Sequence, residues 1–325
     1  MIKLTASMCP ECYCVISAAV FEINGSVWIE KKCPVHGIFS AMVERDAFWV
    51  HLCRQLNCDN IYNGYIIDVT DRCNIKCKYC YHENTDKETA KEDIVIDAES
   101  NKKIAPFILM GGEPTLHKDL PEIYRLLSEI APTSIITNGI KLCDENYFDE
   151  LCKNGLVADG ILKIGLSFHK ESNGKDIELI ELCRKKKLKI MTTFLVIDEL
   201  SQIDEALILN KKYLDVICDV RIKAASNLWA ETKAINKLFV SDMINYLKTK
   251  GKVFLDSSFF NKISYANIVV DGFIFKLISW YDVNNIDLND IACPPYYKAK
   301  DGNVYNLVTA ALVNAGIDKN KGETV

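Results

Sequence analysis

The chemistry of this chain concentrates in one short run, Asp71-Arg72-Cys73-Asn74-Ile75-Lys76-Cys77-Lys78-Tyr79-Cys80. Its three cysteines are separated by three and then two residues. Thiolates at that spacing suit three irons of a cubane iron–sulfur cluster, one sulfur to each. A closed structural zinc site takes four ligands, and a fourth is missing nearby in the sequence. A four-iron cluster held by three thiolates leaves one iron open to a small molecule, and reactivity can begin there.

A second metal-type set lies near the amino end. Cys9-Pro-Glu-Cys12 and Cys33-Pro-Val-His36-Gly37 flank two strand-like runs, Val15–Phe21 and Val27–Ile29, joined at Asn24-Gly25. Asn-Gly between such runs is a strong hairpin signal, because both central residues of a type I′ turn need positive φ. The hairpin brings the two pairs together as a Cys3His set with tetrahedral-site spacing, for which zinc is the default. A rubredoxin-like iron is the alternative if Cys14, Cys53 or Cys58 replaces His36, since iron prefers all-thiolate sites.

The elements that must position the cysteine loop read as strand–helix alternation. Short β-branched runs at Tyr65–Val69, Ile104–Met110, Ser134–Thr137, Ile161–Phe168, Lys189–Ile197 and Val216–Ile222 are typical of strands buried on both faces. Helices are expected between them at Leu120–Ile130, Asp144–Lys153, Asp176–Lys187 and Gln202–Tyr213. Six such units predict an α/β fold, a partial (β/α)6 barrel with right-handed crossovers. Beyond Ala224 the pattern changes. A helix is expected at Ile235–Lys250, a hairpin at Asn267–Val270 and Phe273–Trp280 around Asp271-Gly272, and a last helix at Val304–Ala315. The expected division is a metal-binding knuckle domain at 1–60, a core at 61–225 and a C-terminal α+β extension at 226–325, packed on the core.

Cys-x3-Cys-x-aromatic-Cys is the motif of the radical S-adenosylmethionine (SAM) superfamily, and the chain resembles that family closely. A second match, Gly111-Gly112-Glu113-Pro114, falls at the end of the second expected strand. The resemblance implies that Cys73, Cys77 and Cys80 hold a [4Fe-4S] cluster and that Tyr79 lies beside the adenine of SAM. It implies that the Gly111–Pro114 segment holds the methionine amino group, where glycine lets carbonyls approach closely and Glu113 supplies charge. Asn138, Ser167 and Arg221 are weaker matches at later strand ends, Arg221 as a partner for the SAM carboxylate. The implied reaction begins with one electron from a flavodoxin or ferredoxin. It cleaves SAM to methionine and a 5′-deoxyadenosyl radical, which removes hydrogen from an unactivated carbon. The amino-terminal knuckle is similar to that of the branch containing the archaeal tetraether lipid synthase.

Composition narrows the field. The chain has 325 residues, 49% of them apolar and 26% charged, which excludes a disordered or low-complexity chain. A net charge of −5 argues against nucleic-acid binding by bulk charge. Neither a transmembrane run nor a secretory leader is visible, so a cytoplasmic protein is expected and its 14 cysteines read as metal ligands or buried thiols. Cys53 and Cys58, with Cys293, are candidates for an auxiliary cluster, while Cys143, Cys152, Cys183 and Cys218 read as packing. His82, His117 and His169 follow strand ends near the expected site. The expected substrate is a small molecule or lipid undergoing C–C bond formation or methylation. A peptide is the alternative, and a non-catalytic iron–sulfur or zinc protein is the competing class.

Overall fold

The computed structural model describes residues 1–56, 64–78, 80, 82, 84–225, 237–256, 263–279, 284–288, 296–299 and 302–306. Its amino end is a four-stranded antiparallel sheet, β1 (Lys3–Met8), β2 (Val15–Ile23), β3 (Ser26–Cys33) and β4 (Gly37–Glu44), paired in sequence order. The expected hairpin is its centre. Asn24 and Gly25 take φ of 50° and 77°, as an I′-type turn requires. The sheet also has β1 and β4, which sequence reading passed over, and a helix follows it, α1 (Ala47–Leu56). Val20, Ile29 and Val43 are buried in the same apolar cluster as the main core, so the small sheet is packed against it.

The six expected strands form consecutively: β5 (Tyr65–Thr70), β6 (Phe107–Gly111), β7 (Thr133–Thr137), then, after a two-residue β8 (Val157–Ala158), β9 (Ile161–Phe168), β10 (Lys189–Ile197) and β11 (Val220–Ala224). The helices between them are α2 (Lys91–Ser100), α3 (Leu120–Ile130), α4 (Glu145–Leu151), α5 (Lys175–Lys185) and α6 (Ile203–Lys212). All five pairings among the six strands are parallel. This is the partial (β/α)6 barrel. Strand interiors such as Ile67, Leu109, Ile135, Ile164 and Ile222 are almost fully buried, which accounts for their apolar, β-branched runs.

Four boundaries differ from expectation. Residues Lys102–Ile104 form a short 3₁₀ turn, so β6 starts only at Phe107. The turn in which Tyr213 accepts from the amides of Val216 and Ile217 delays β11 to Val220. Among the described residues the helix after β11, α7 (Val240–Lys248), begins at Val240, because the Asp242 carboxylate folds back to accept from the Phe239 amide at 3.0 Å. The helix expected from Val304 is replaced, over its described part, by a strand that pairs with Tyr296–Lys298. The rest of that segment lies outside the described residues.

Strands from the last hundred residues extend the main sheet at both ends. Beside β11 stand β12 (Val253–Leu255), β13 (Tyr265–Val270) and β14 (Phe273–Ser279), with β14 parallel to β11. The expected turn between β13 and β14 forms, with Asp271 and Gly272 at φ of 48° and 89°. At the other edge β15 (Tyr296–Lys298) pairs in parallel with β5, and β16 (Val304–Asn306) follows it. No helix among the described residues is long and apolar enough to cross a membrane.

Candidate functional site

A cavity of about 1170 Å³ opens at the C-terminal ends of the parallel strands, and Cys73, Cys77, Cys80, Gly111, Gly112, Glu113, Asn138, Ser167 and Arg221 all line it. Ligand sites in α/β folds gather at this end of the sheet. Tyr79 lies outside the described residues.

Backbone contacts lock the cysteine loop onto the end of β6. The Gly112 amide donates to Thr70 O and the Glu113 amide to Arg72 O, both at 2.7 Å. The two chain segments run so close that a Cβ on Gly111 would stand 2.2 Å from Thr70 O, and one on Gly112 2.3 Å from Arg72 O. Gly111 also has φ of +124°, which L side chains rarely adopt. Backbone packing between the two segments therefore demands these glycines, a reason additional to the ligand approach expected from sequence. Asn84 braces the loop from the side, its amide oxygen accepting from the Cys73 amide at 3.2 Å.

Glu113 is buried to 2% exposure at the base of the cavity. One carboxylate oxygen accepts from the Thr115 amide, the Thr115 hydroxyl and the Thr137 hydroxyl at 3.1, 2.6 and 2.6 Å. The other accepts from the Asn138 amide at 2.8 Å. Burial pushes its pKa up, and these donors oppose the rise. Asn138 donates from its side chain to Asn74 at 2.8 Å, tying the end of β7 to the cysteine loop. Pro114 is buried in the turn beneath.

Burial is the main cause raising the pKa of the Cys73 and Cys77 thiols, Cys77 to about 12, and the neighbouring thiols and Glu113 add repulsion. Three thiolates together are unfavourable in this setting, and a cationic metal centre reverses that balance. All three thiols line the same cavity, and the ligand atom of Cys77 also lies within 4.8 Å of those of His169 and Glu171. Separate irons of one cluster suit them, so the donor set fits a cubane.

His169 stands beside this set, its Nδ1 3.4 Å from Cys77 Sγ, and burial lowers its pKa. His82 pairs with Asp68 at 3.0 Å on the cavity wall. His117 faces elsewhere. Its Nε2 donates to Thr89 O at 2.9 Å and its Nδ1 accepts from the Asp119 amide at 3.1 Å, which occupies both ring nitrogens structurally. Arg221 is held in an ion network, its Nε 3.0 Å from Asp219, whose carboxylate also takes Lys276 at 2.9 Å.

At the amino end, the ligand atoms of Cys9, Cys12, Cys33 and His36 all lie within 4.8 Å of one another. His36 Nδ1 is 3.6 Å from Cys9 Sγ and 3.5 Å from Cys33 Sγ, and Cys12 and Cys33 sulfurs are 3.9 Å apart. The backbone amide of His36 is the largest cause drawing the Cys33 pKa down to about 6, which favours a thiolate ready for metal. His36, rather than Cys14 or Cys53, completes the group among the described residues, and a Cys3His set suits tetrahedral zinc. Cys53 is buried in the apolar core from α1. Cys58 and Cys293 lie outside the described residues.

Comparison with known proteins agrees with this geometry. Residues 1–45 match the family model described as the HMPTM N-terminal zinc ribbon domain, and residues 67–208 match that of the Radical SAM superfamily. The 7,8-dihydro-6-hydroxymethylpterin dimethyltransferase of Methanocaldococcus jannaschii is 30% identical over 233 residues, 57% of this chain and 45% of that protein. A probable GTP 3′,8-cyclase of Archaeoglobus fulgidus is 42% identical over 95 residues, 28% of this chain and 31% of that protein. The chain thus spans less than half the length of these curated relatives. The crystal structure of Streptococcus suis SuiB bound to precursor peptide SuiA shares the fold, with a TM-score of 0.53 at 16% identity over 82% of this chain and 64% of that one. The superfamily implies a [4Fe-4S] cluster and SAM in the core, and the ribbon a metal at its cysteine cluster. The chain carries a domain of the radical SAM superfamily behind a zinc ribbon of the HMPTM amino-terminal kind.

Proposed function

We propose that this chain is a radical SAM enzyme acting on a small-molecule substrate, in C–C bond formation or methylation, with an electron supplied by a flavodoxin or ferredoxin. The observation that carries the reading is the pair of 2.7 Å backbone bonds that seat the three-cysteine loop directly on Gly111-Gly112-Glu113 at one cavity wall. Bound there, a [4Fe-4S] cluster and SAM would supply the radical chemistry for hydrogen abstraction.

The residues of the chain bind and orient. Cys73, Cys77 and Cys80 would hold the cluster. Glu113, fixed by its three neighbours, would hold the ammonium of SAM. Its buried position strengthens that charge pairing, because little water competes there. Asn138 keeps the cysteine loop in register with Glu113, and Ser167 offers a hydroxyl on the adjacent wall. Tyr79 is assigned to the adenine from its place in the motif. Zinc at Cys9, Cys12, Cys33 and His36 is structural, since four protein ligands close its coordination. A small heterocyclic substrate is favoured over a peptide by the relatives, whose names specify a pterin and GTP.

Anaerobically reconstituted protein with SAM and dithionite is expected to release 5′-deoxyadenosine above a Cys73→Ala control. Equal release from both proteins removes the enzyme reading and leaves a metal-binding protein without radical chemistry.

A further inference from the structure

The three cysteines of the loop differ in what donates to their sulfurs. Cys73 meets the Ile75 amide, and Cys80 Sγ accepts from the His82 amide at 3.4 Å. Both donors are backbone groups of the loop itself, which almost any sequence supplies. Cys77 draws instead on a side chain ninety-two positions away. His169 Nδ1 stands 3.4 Å from its sulfur and Nε2 4.0 Å, so the ring turns its Nδ1 edge to Cys77.

A regular element places that ring. His169 follows Phe168, the last residue of β9, which pairs in parallel with Leu195 of β10. Its carbonyl accepts from the Ser172 amide at 3.0 Å, closing the turn after the strand. Cys77, His169 and Glu171 all line the cavity, and their ligand atoms lie within 4.8 Å of one another.

The state of the sulfur decides the chemistry of the pair. A cysteine that binds a cluster is a thiolate and has no proton to give. It can only accept, so the neighbouring imidazole nitrogen must carry the proton and donate it. Reduction adds one negative charge to a centre that three thiolates already make anionic. Burial, the thiolates of Cys80 and Cys73, and the carboxylates of Glu171 and Glu113 all oppose negative charge at Cys77. An N–H aimed at the sulfur offsets part of that cost, and hydrogen bonds to the sulfurs are among the factors that set an iron–sulfur potential.

We propose that His169 is a positioning residue that donates from Nδ1 to the cluster-bound Cys77 thiolate and raises the reduction potential of the centre. Glu171 acts in the opposite sense, as a carboxylate close to the same sulfur. One electron passes from the flavodoxin or ferredoxin to the cluster in this step, while His169 keeps its proton and makes no covalent bond. The inference rests on the radical SAM reading for the presence of the cluster.

The test uses the anaerobically reconstituted full chain at one fixed pH, without SAM or substrate. Redox titration followed by electron paramagnetic resonance of the reduced cluster gives the midpoint of each variant. At the wild-type midpoint the ratio of reduced to oxidised cluster should fall roughly tenfold in His169→Phe, a shift of about 59 mV for one electron. His169→Asn, whose amide nitrogen takes the place of Nδ1, should recover most of that loss. Glu171→Gln should raise the ratio above wild type, with iron per chain unchanged throughout. A second measurement does not depend on the Phe variant. Isotope-labelled histidine should give a weak nitrogen coupling and an exchangeable proton in the pulsed spectrum of wild type, the nitrogen coupling being absent in His169→Asn. A strong nitrogen coupling means that His169 ligates iron, and it overturns the inference. So does an unchanged midpoint in iron-replete His169→Phe, or a His169→Asn midpoint no higher than that of His169→Phe. Should His169→Phe lose its iron, the nitrogen coupling and the Glu171→Gln shift decide. A wild-type chain that takes up no cluster removes this inference together with the radical SAM reading, whereas SAM cleavage with an unchanged midpoint removes this one alone.

Discussion

Glu44 should make the docking of the ribbon on the core sensitive to pH, and Glu44→Gln should remove that sensitivity. Glu44 ends β4 at 1% exposure, and its carboxylate accepts from the Ser241 hydroxyl of α7 at 2.5 Å and from the Arg45 amide at 2.6 Å. Burial outweighs those bonds and raises its pKa from 4.5 to about 7. A carboxyl that binds its proton more tightly when folded stabilises the fold fully below pH 4.5 and loses that contribution as pH rises to 7. At about 1.4 kcal/mol per pH unit, the loss is roughly 3 kcal/mol. Glutamine resembles the protonated acid and does not ionise. Wild type and Glu44→Gln should therefore unfold with similar stability at pH 5, and the variant should be more stable by roughly 3 kcal/mol at pH 8. Denaturant unfolding of both zinc-loaded proteins across that range measures the difference, and contributions from the cysteines cancel in the comparison. A difference that stays constant from pH 5 to pH 8 refutes the reasoning.

Two further substitutions separate the metal sites. Gly112→Ala places a Cβ about 2.3 Å from Arg72 O and 2.5 Å from Asp71 O, so the cysteine loop must shift. Iron per chain after reconstitution should drop severalfold while zinc is retained, and full iron loading would contradict the packing argument. Cys33→Ser should have the opposite effect, releasing zinc with iron retained. Elemental analysis of the purified variant reads both metals, and retained zinc would exclude Cys33 as a ligand.

Local features of the site were legible in the sequence and long-range ones were not. The cysteine spacings, the Asn24-Gly25 turn and the Gly111–Pro114 segment declare themselves within a few residues. What fixes Glu113 does not. Asn138 was marked by the resemblance, but its bond to Glu113 and that of Thr137 span more than twenty positions and leave no local pattern. The pairing of Asp219 with Arg221 and Lys276 was hidden for the same reason: Lys276 lies in a hairpin that gives no sign of pairing beside β11. Helix α2 was missed because only Ile94 and Ala98 of its residues are buried, too few for a visible apolar stripe. Val304–Asn306 was misread as helical because its partner strand, which decides its conformation, has no local signature.

Pairing of β15 with β5 has a temporal consequence. Tyr65 and Ile66 lead into the loop that carries the cysteines, yet the strand that covers this edge is Tyr296–Lys298, made more than two hundred residues later. During synthesis the β5 edge is exposed while the opposite half of the sheet is already forming, and unpaired edges invite wrong partners. Closure of the edge beside the cysteine loop therefore has to wait for its last brace, Tyr296–Lys298.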